Sequence, residues 1–173
     1  KVFVTGAVNN PGMYTLSGNS SVLSALIAAA GVSENGSYRN IIVKRDNEVI
    51  SKIDLYQAFV FGNTKFNVPL RSGDAIIVST SLPQATISGG VGHPAIYEFT
   101  SGETVSDLIN MAQGFIPGVN LKTFMLNRIN DDNSVSEISI ANSELEKYQL
   151  MNGDSYFVDY YSAMPNPIYS VNI

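Results

Sequence analysis

At 173 residues the chain suits one medium domain or two small ones, and its formal charge of −5 argues against a nucleic-acid binder, since its ten Lys and Arg are scattered. It has no cysteine, hence no disulfide framework and no thiolate metal site, and no apolar run near the roughly 18 residues of a spanning helix. With 45% hydrophobic and 14% charged residues it is globular, and a surface short of charge suits packing against partners.

Lys1 to Val4 is an alternating strand-type run, and because Lys1 lies directly inside it the sequence reads as a piece of a longer chain. Gly6 relaxes the backbone, Asn9-Asn10-Pro11-Gly12 signals a turn, and Met13 to Leu16 completes a hairpin. Ser17-Gly18-Asn19-Ser20 breaks it. From Val22 to Ala30 the residues Val22, Ala25, Leu26, Ala29 and Ala30 recur at helical spacing, with Ser21 as N-cap and Gly31 expected at the C′ position. Asn40 to Arg45 and Val49 to Asp54 read as strands around the turn Asp46-Asn47. A short helix-like segment, Leu55 to Phe59, follows, and Gly73-Asp74 turns the chain into a last buried strand.

The same message then returns. Val4 to Tyr14 reappears 83 positions later as Ile87 to Tyr97, and the same offset places Val22 on Val105, Ala29 on Ala112, Gly31 on Gly114 and Arg45 on Arg128. After a deletion of three residues, Gly73-Asp74 falls on Gly153-Asp154. The second helix opens on Thr104-Val105-Ser106-Asp107, a capping-box pattern, buries Val105, Leu108, Ile109 and Ala112, and ends at Gly114. Strands are expected over Thr123 to Arg128 and Val135 to Ile140, with a helix-like segment over Ser143 to Lys147.

A period of about 80 residues means two small domains in series. Each has the order strand, strand, helix, strand, strand, short helix, strand. The predicted fold is α+β: two tandem β-grasp (ubiquitin-like) domains, each a mixed sheet wrapped around one helix, over 1–80 and 85–160. The joint Ser81-Leu82-Pro83-Gln84 is about four residues long, so the units are expected to touch. Residues 161–173 read as a linker, Ala163 to Pro167, and then an alternating run from Tyr169 that suggests a third unit or a pairing strand.

The ordered pattern Gly-x-Val-x-x-Pro-x-x-Tyr, helix, and Gly-Asp turn resembles the soluble-ligand-binding β-grasp (SLBB) domain. Gly6, Val8, Pro11, Tyr14, Gly31, Arg45, Asp54-Leu55-Tyr56 and Gly73-Asp74 carry it in repeat one; Gly89, Val91, Pro94, Tyr97, Gly114, Arg128 and Gly153-Asp154 carry it in repeat two. Repeat two departs at Ala95, where repeat one has Gly12, and in lacking Asp-Leu-Tyr. Tandem copies resemble the outer-membrane polysaccharide export family. That resemblance implies a non-catalytic periplasmic piece of a capsule or exopolysaccharide export protein, associated with the outer membrane of a Gram-negative bacterium. It implies self-association into a ring in the full-length protein, weak and transient contact with the polysaccharide, and an inner-membrane synthesis or export partner.

No residue set points to catalysis, a metal or a cofactor. His93 is the single histidine and lies in a turn, without a second His or Cys to complete a zinc site; no Gly-x-Ser-x-Gly elbow occurs, and one turn histidine does not make a credible triad. Asp131-Asp132-Asn133 lacks the central Gly and terminal Glu of a calcium loop. Gly89-Gly90-Val91-Gly92 leads into a strand, not a helix, and so suits a tight bend more than a phosphate cradle. The acids that recur, Asp74 and Asp154, are expected to serve their turns and not a two-carboxylate cleft.

Candidate ligand contacts are the recurring pairs Tyr14 and Tyr97, and Arg45 and Arg128, because aromatic faces and guanidinium forks hold sugars and acidic polymers. For each, packing of the tyrosine and pairing of the arginine with a nearby acid are the competing readings. Phe59-Val60-Phe61 with Phe66 reads as a patch covered by a neighbour. The alternative function is a soluble receptor module holding one small ligand; a pure interaction scaffold is a third.

Overall fold

The computed structural model describes residues 1–63 and 68–160. The run from Tyr169 and the residue Phe66 lie outside the described residues. The chain divides into two compact units, Lys1–Leu82 and Pro83–Ile173.

In the first unit, β1 (Val2–Gly6) and β2 (Gly12–Tyr14) form a hairpin; α1 (Val22–Ala28), β3 (Gly36–Arg45), β4 (Glu48–Ile53), α2 (Tyr56–Phe59) and β5 (Ala75–Thr80) follow. The sheet order is β2-β1-β5-β3-β4, with β1 and β5 parallel and the other pairs antiparallel. The last strand thus returns between the first hairpin and the second, with the helix crossing one face: the β-grasp. Alternation dictates which side is covered. Val2, Val4, Ile41, Val43, Ile76 and Val78 point to the core, where they meet Val22, Ala25, Leu26 and Ala29 of the helix. Full burial of each large aliphatic side chain contributes about 1.5–3 kcal/mol.

The second unit repeats this plan with β6 (Gln84–Gly89), β7 (Ala95–Glu98), α3 (Val105–Met111), β8 (Thr123–Ile129), β9 (Val135–Ala141), a 3-10 turn (Asn142–Glu144) and β10 (Ser155–Val158), in the order β7-β6-β10-β8-β9. Ala85, Ile87, Phe124, Leu126, Tyr156 and Val158 are buried with Val105, Leu108, Ile109 and Ala112 of the helix. Phe124 also stacks on Phe115 at 5.2 Å between ring centres.

Three details differ from the sequence reading. The first helix ends at Ala28, and the C′ positions are held by Ala30 (φ 59°) and Gln113 (φ 62°), with Gly31 and Gly114 one place further on. The cause is a double closure: Ala30 and Gly31 donate to the carbonyls of Ile27 and Leu26, and Gln113 and Gly114 to those of Asn110 and Ile109. Second, β3 starts at Gly36, four residues earlier than expected, because its first half is irregular. A register shift separates Gly36 from Ile41, and the Ser37 hydroxyl accepts from the Arg39 and Asn40 amides there.

Third, the three-residue deletion is a net value. Ile41 pairs with Ile53 and Phe124 with Ile140, so β9 lies 87 positions beyond β4, four more than the repeat. Ala75 and Ser155 occupy equivalent registers only 80 positions apart. Four residues are gained at the second hairpin, where the two-residue turn Asp46-Asn47 (φ 50° and 68°) becomes a longer loop, and seven are lost between β4 and β5. The loss removes α2, leaving the 3-10 turn in place of the helix expected over Ser143 to Lys147.

Candidate functional site

The opening motif is a device for tying the first hairpin to the end of the helix. After Gly6, the Ala7 amide donates to the Val78 carbonyl at 2.9 Å, Val8 turns into the core, and Asn9 and Asn10 donate to the carbonyls of Gly31 and Ala29. In the second unit Gly90 bonds to Val158, and Gly92 and His93 to Gly114 and Ala112. His93 is therefore placed by its backbone, in an exposed turn.

The recurring tyrosines lock the same turn. Tyr14 Oη donates to the Asn10 carbonyl, and Tyr97 Oη donates to the His93 carbonyl at 2.9 Å. The Tyr97 side chain is buried and Tyr14 is half-buried. Burial raises the Tyr97 phenol above its ordinary pKa, so it remains a neutral donor.

The recurring arginines meet the recurring aspartates. Arg45 Nε and Nη2 donate to the two carboxylate oxygens of Asp74 at 2.7 and 2.8 Å; Arg128 Nε and Nη2 do the same to Asp154 at 2.9 and 2.8 Å. Both aspartate side chains are fully buried. Each also accepts a backbone amide from the loop before it, Arg71 in one unit and Met151 in the other. Asp154 takes a further bond from Tyr156 Oη at 3.0 Å. Burial, with the Asp154 charge beside it, pushes the Tyr156 phenol far up. The Gly-Asp turn is thus the inner half of an ion pair that staples the loop before the last strand to the end of its antiparallel neighbour, β3 in one unit and β8 in the other. Sequence reasoning attributed each aspartate to its turn and did not join it to the arginine. The signal was present: both residues recur, in the same order, in both copies.

Arg39 was missed outright. Its Nε and Nη2 reach Asp54 Oδ2 at 3.1 and 3.0 Å, Asp54 Oδ1 accepts the Tyr56 amide at 2.9 Å, and the guanidinium lies 5.0 Å from the centre of the Tyr56 ring. That explains Asp54-Leu55-Tyr56: the carboxylate starts α2 and holds the cation that stacks on it. Lys122 and Ala141 stand at the equivalent places in the second unit, so the device is absent with its helix.

Asp74 gives unit one a pH dependence. Its hydrogen bonds from Arg45 hold the carboxyl below the usual carboxylate range, more than burial raises it. A depressed folded-state pKa means that the stabilisation is complete above the unfolded value of about 4 and is lost as pH falls through the lower folded one. The urea midpoint of unit one, followed by its amide resonances, should drop between pH 5 and pH 2. Asp74→Asn should start lower and show a flatter decline.

One surface feature separates the copies. In unit one Leu23, Leu26, Ile27, Tyr38, Leu55 and Phe59 line an apolar groove, with Ile27 and Phe59 respectively 70% and 58% exposed. The corresponding groove of unit two carries Ser106, Asn110, Asn142, Ser143 and Glu146. Among the described residues no helix is long and apolar enough to cross a membrane.

Fold and ion-pair geometry define a protein built of β-grasp modules in series. Two SLBB domain models match, one over residues 1–78 and one over 84–138, and the chain belongs to the SLBB domain family. Among curated proteins, two from Escherichia coli, both named polysialic acid transport protein KpsD, are 40% identical over 100 residues. That alignment covers 57% of this chain and 18% of each relative, so the chain matches less than a fifth of their length.

Proposed function

We propose that this chain is the tandem SLBB portion of a periplasmic, outer-membrane-associated polysaccharide export protein. It is non-catalytic, helps to build the wall of an oligomeric conduit, and touches the polymer weakly in transit. The observation that carries the reading is the likeness to relatives named for polysialic acid transport, together with two SLBB domains in one chain. Physical chemistry supports it. The repeated charged residues are committed to ion pairs inside their own units, which suits a scaffold. A conduit also has no use for tight sites, since each would slow passage. Polymer contact by the repeated residues falls to the edges they leave open: the Nη1 groups of Arg45 and Arg128 and the half-buried Tyr14 ring, with the buried Tyr97 a lesser contributor. The uncharged groove of unit one supports self-association, with a further copy as its occupant.

Light scattering of the full-length protein in mild detergent, beside this chain alone, tests the proposal. A large oligomer of one fixed mass is expected for the full-length protein. A full-length protein that stays monomeric across a wide concentration range would sink the conduit. Saturable binding of a single small ligand by that monomer would replace it with the receptor reading.

A further inference from the structure

An open depression of about 500 Å³ lies beside the Gly153-Asp154 turn, lined by Arg128, Lys147, Tyr148, Gln149, Leu150 and Met151. Both charged residues in that lining are cations, on a chain whose net charge is −5. Arg128 uses Nε and Nη2 on Asp154 and the Gln149 carbonyl. Its Nη1 donates to no group among the described residues. No buried side-chain nitrogen or oxygen there lacks a partner, so Nη1 reaches solvent although the side chain is only 17% exposed. The Asp154 carboxylate is fully buried and enclosed by Arg128, the Met151 amide and the Tyr156 hydroxyl, which keeps its charge out of the depression. Lys147 is exposed and Tyr148 half-buried. Glu144 and Glu146 neighbour Lys147 in sequence but do not line the depression.

We propose that this depression binds a carboxylate-bearing sugar. The sugar's carboxylate accepts from Arg128 Nη1 and from the Lys147 ammonium, and its ring rests against Tyr148. A rigidly held guanidinium edge next to a mobile ammonium is the pairing that selects a carboxylate over a hydroxyl. The Arg128–Asp154 pair is neutral as a unit, so Lys147 supplies the site's net charge. Affinity is accordingly weak, with Kd on the order of millimolar, in the range that lets a polymer move on. The inference rests on the polysaccharide reading and narrows it to acidic polymers.

The test is an NMR titration of the isotopically labelled 173-residue chain with trigalacturonate, and with maltotriose as a neutral sugar of equal length, at low salt. Trigalacturonate should move the amides of Arg128 and residues 147–151 saturably. Binding should weaken by about fivefold in Lys147→Gln, a change at an exposed position, and fade in about 0.5 M salt. Absence of shifts at about 20 mM trigalacturonate, well above the expected Kd, would overturn the site, as would unchanged binding in Lys147→Gln. Equal shifts with maltotriose would overturn its charge selectivity while leaving the polysaccharide reading intact. Failure of that broader reading registers separately, in the mass of the full-length protein.

Discussion

Asp154→Ala is expected to cost unit two about 3–5 kcal/mol, a large share of the stability of a domain this size. The carboxylate is fully buried and accepts four bonds: two from Arg128, one from the Met151 amide and one from Tyr156 Oη. Removing it leaves a guanidinium 17% exposed without its counter-charge, and a phenol and an amide without acceptors. The lost attraction is a small part of the effect; the larger part is the desolvated donors left behind. Asp154→Asn, which keeps the shape and one acceptor oxygen, should fall between wild type and alanine. Urea unfolding followed through amide resonances separates the two units, and the drop should be concentrated in residues 84–160. A loss under about 1 kcal/mol would mean that the pair behaves as a surface salt bridge, contrary to its burial.

The repeat made the fold readable before the structure. A single copy offers strands and a helix of ordinary pattern, but two copies in register show which glycines, tyrosines and charges are kept while their surroundings change. Val8 and Val91, Tyr14 and Tyr97, Arg45 and Arg128 stood out for that reason. Side-chain partners did not follow from recurrence. Arg45 and Asp74 are 29 positions apart, and only the antiparallel pairing of β3 with β5 brings the end of one strand to the start of the other. The C′ glycines were misplaced by one position because Ala30 and Gln113 bear a left-handed conformation that intrinsic preference assigns to glycine; the second closing hydrogen bond at each helix end offsets that preference. The net deletion of three concealed a gain and a loss, since a sequence offset records only their difference.

Those two length changes fall where the copies diverge in character. Ion pair, hairpin tie and helix closure are shared, so the frame of each unit is built alike. The longer connection between β4 and β5 in unit one carries α2, whose Phe59 borders the apolar groove, whereas the shorter connection of unit two leaves a more polar counterpart. Unit two in turn places Lys147 and Tyr148 beside its repeated arginine. One module thus supplies the scaffold twice, and differences in the connection before the last strand give each copy a different face: uncharged and apolar in the first, cationic in the second.

The motif glycine should be the least replaceable small residue in that scaffold. Gly6 has φ +83°, and a Cβ there would lie 2.1 Å from the Val78 carbonyl oxygen; Gly89 has φ +82° and meets the Val158 oxygen at 2.2 Å. Left-handed backbone alone costs a substituted residue about 1–2 kcal/mol. The contact adds to this, because the atom struck is backbone that cannot rotate away. The Val78 oxygen accepts from the Ala7 amide, and Val78 sits in β5 between β1 and β3. Retreat of that carbonyl would break the bond that starts the hairpin tie and move a strand paired on both sides. Gly6→Ala is therefore expected to destabilise unit one by about 3 kcal/mol or more, among the larger effects of a single methyl group. Gly18→Ala is the control. No atom lies within 4 Å of its would-be Cβ and its φ is not left-handed, so it should stay within about 0.5 kcal/mol of wild type. Comparable losses from both substitutions in urea unfolding would show that flexibility of the chain, and not the close approach of β1 to β5, is what the glycine at position 6 provides.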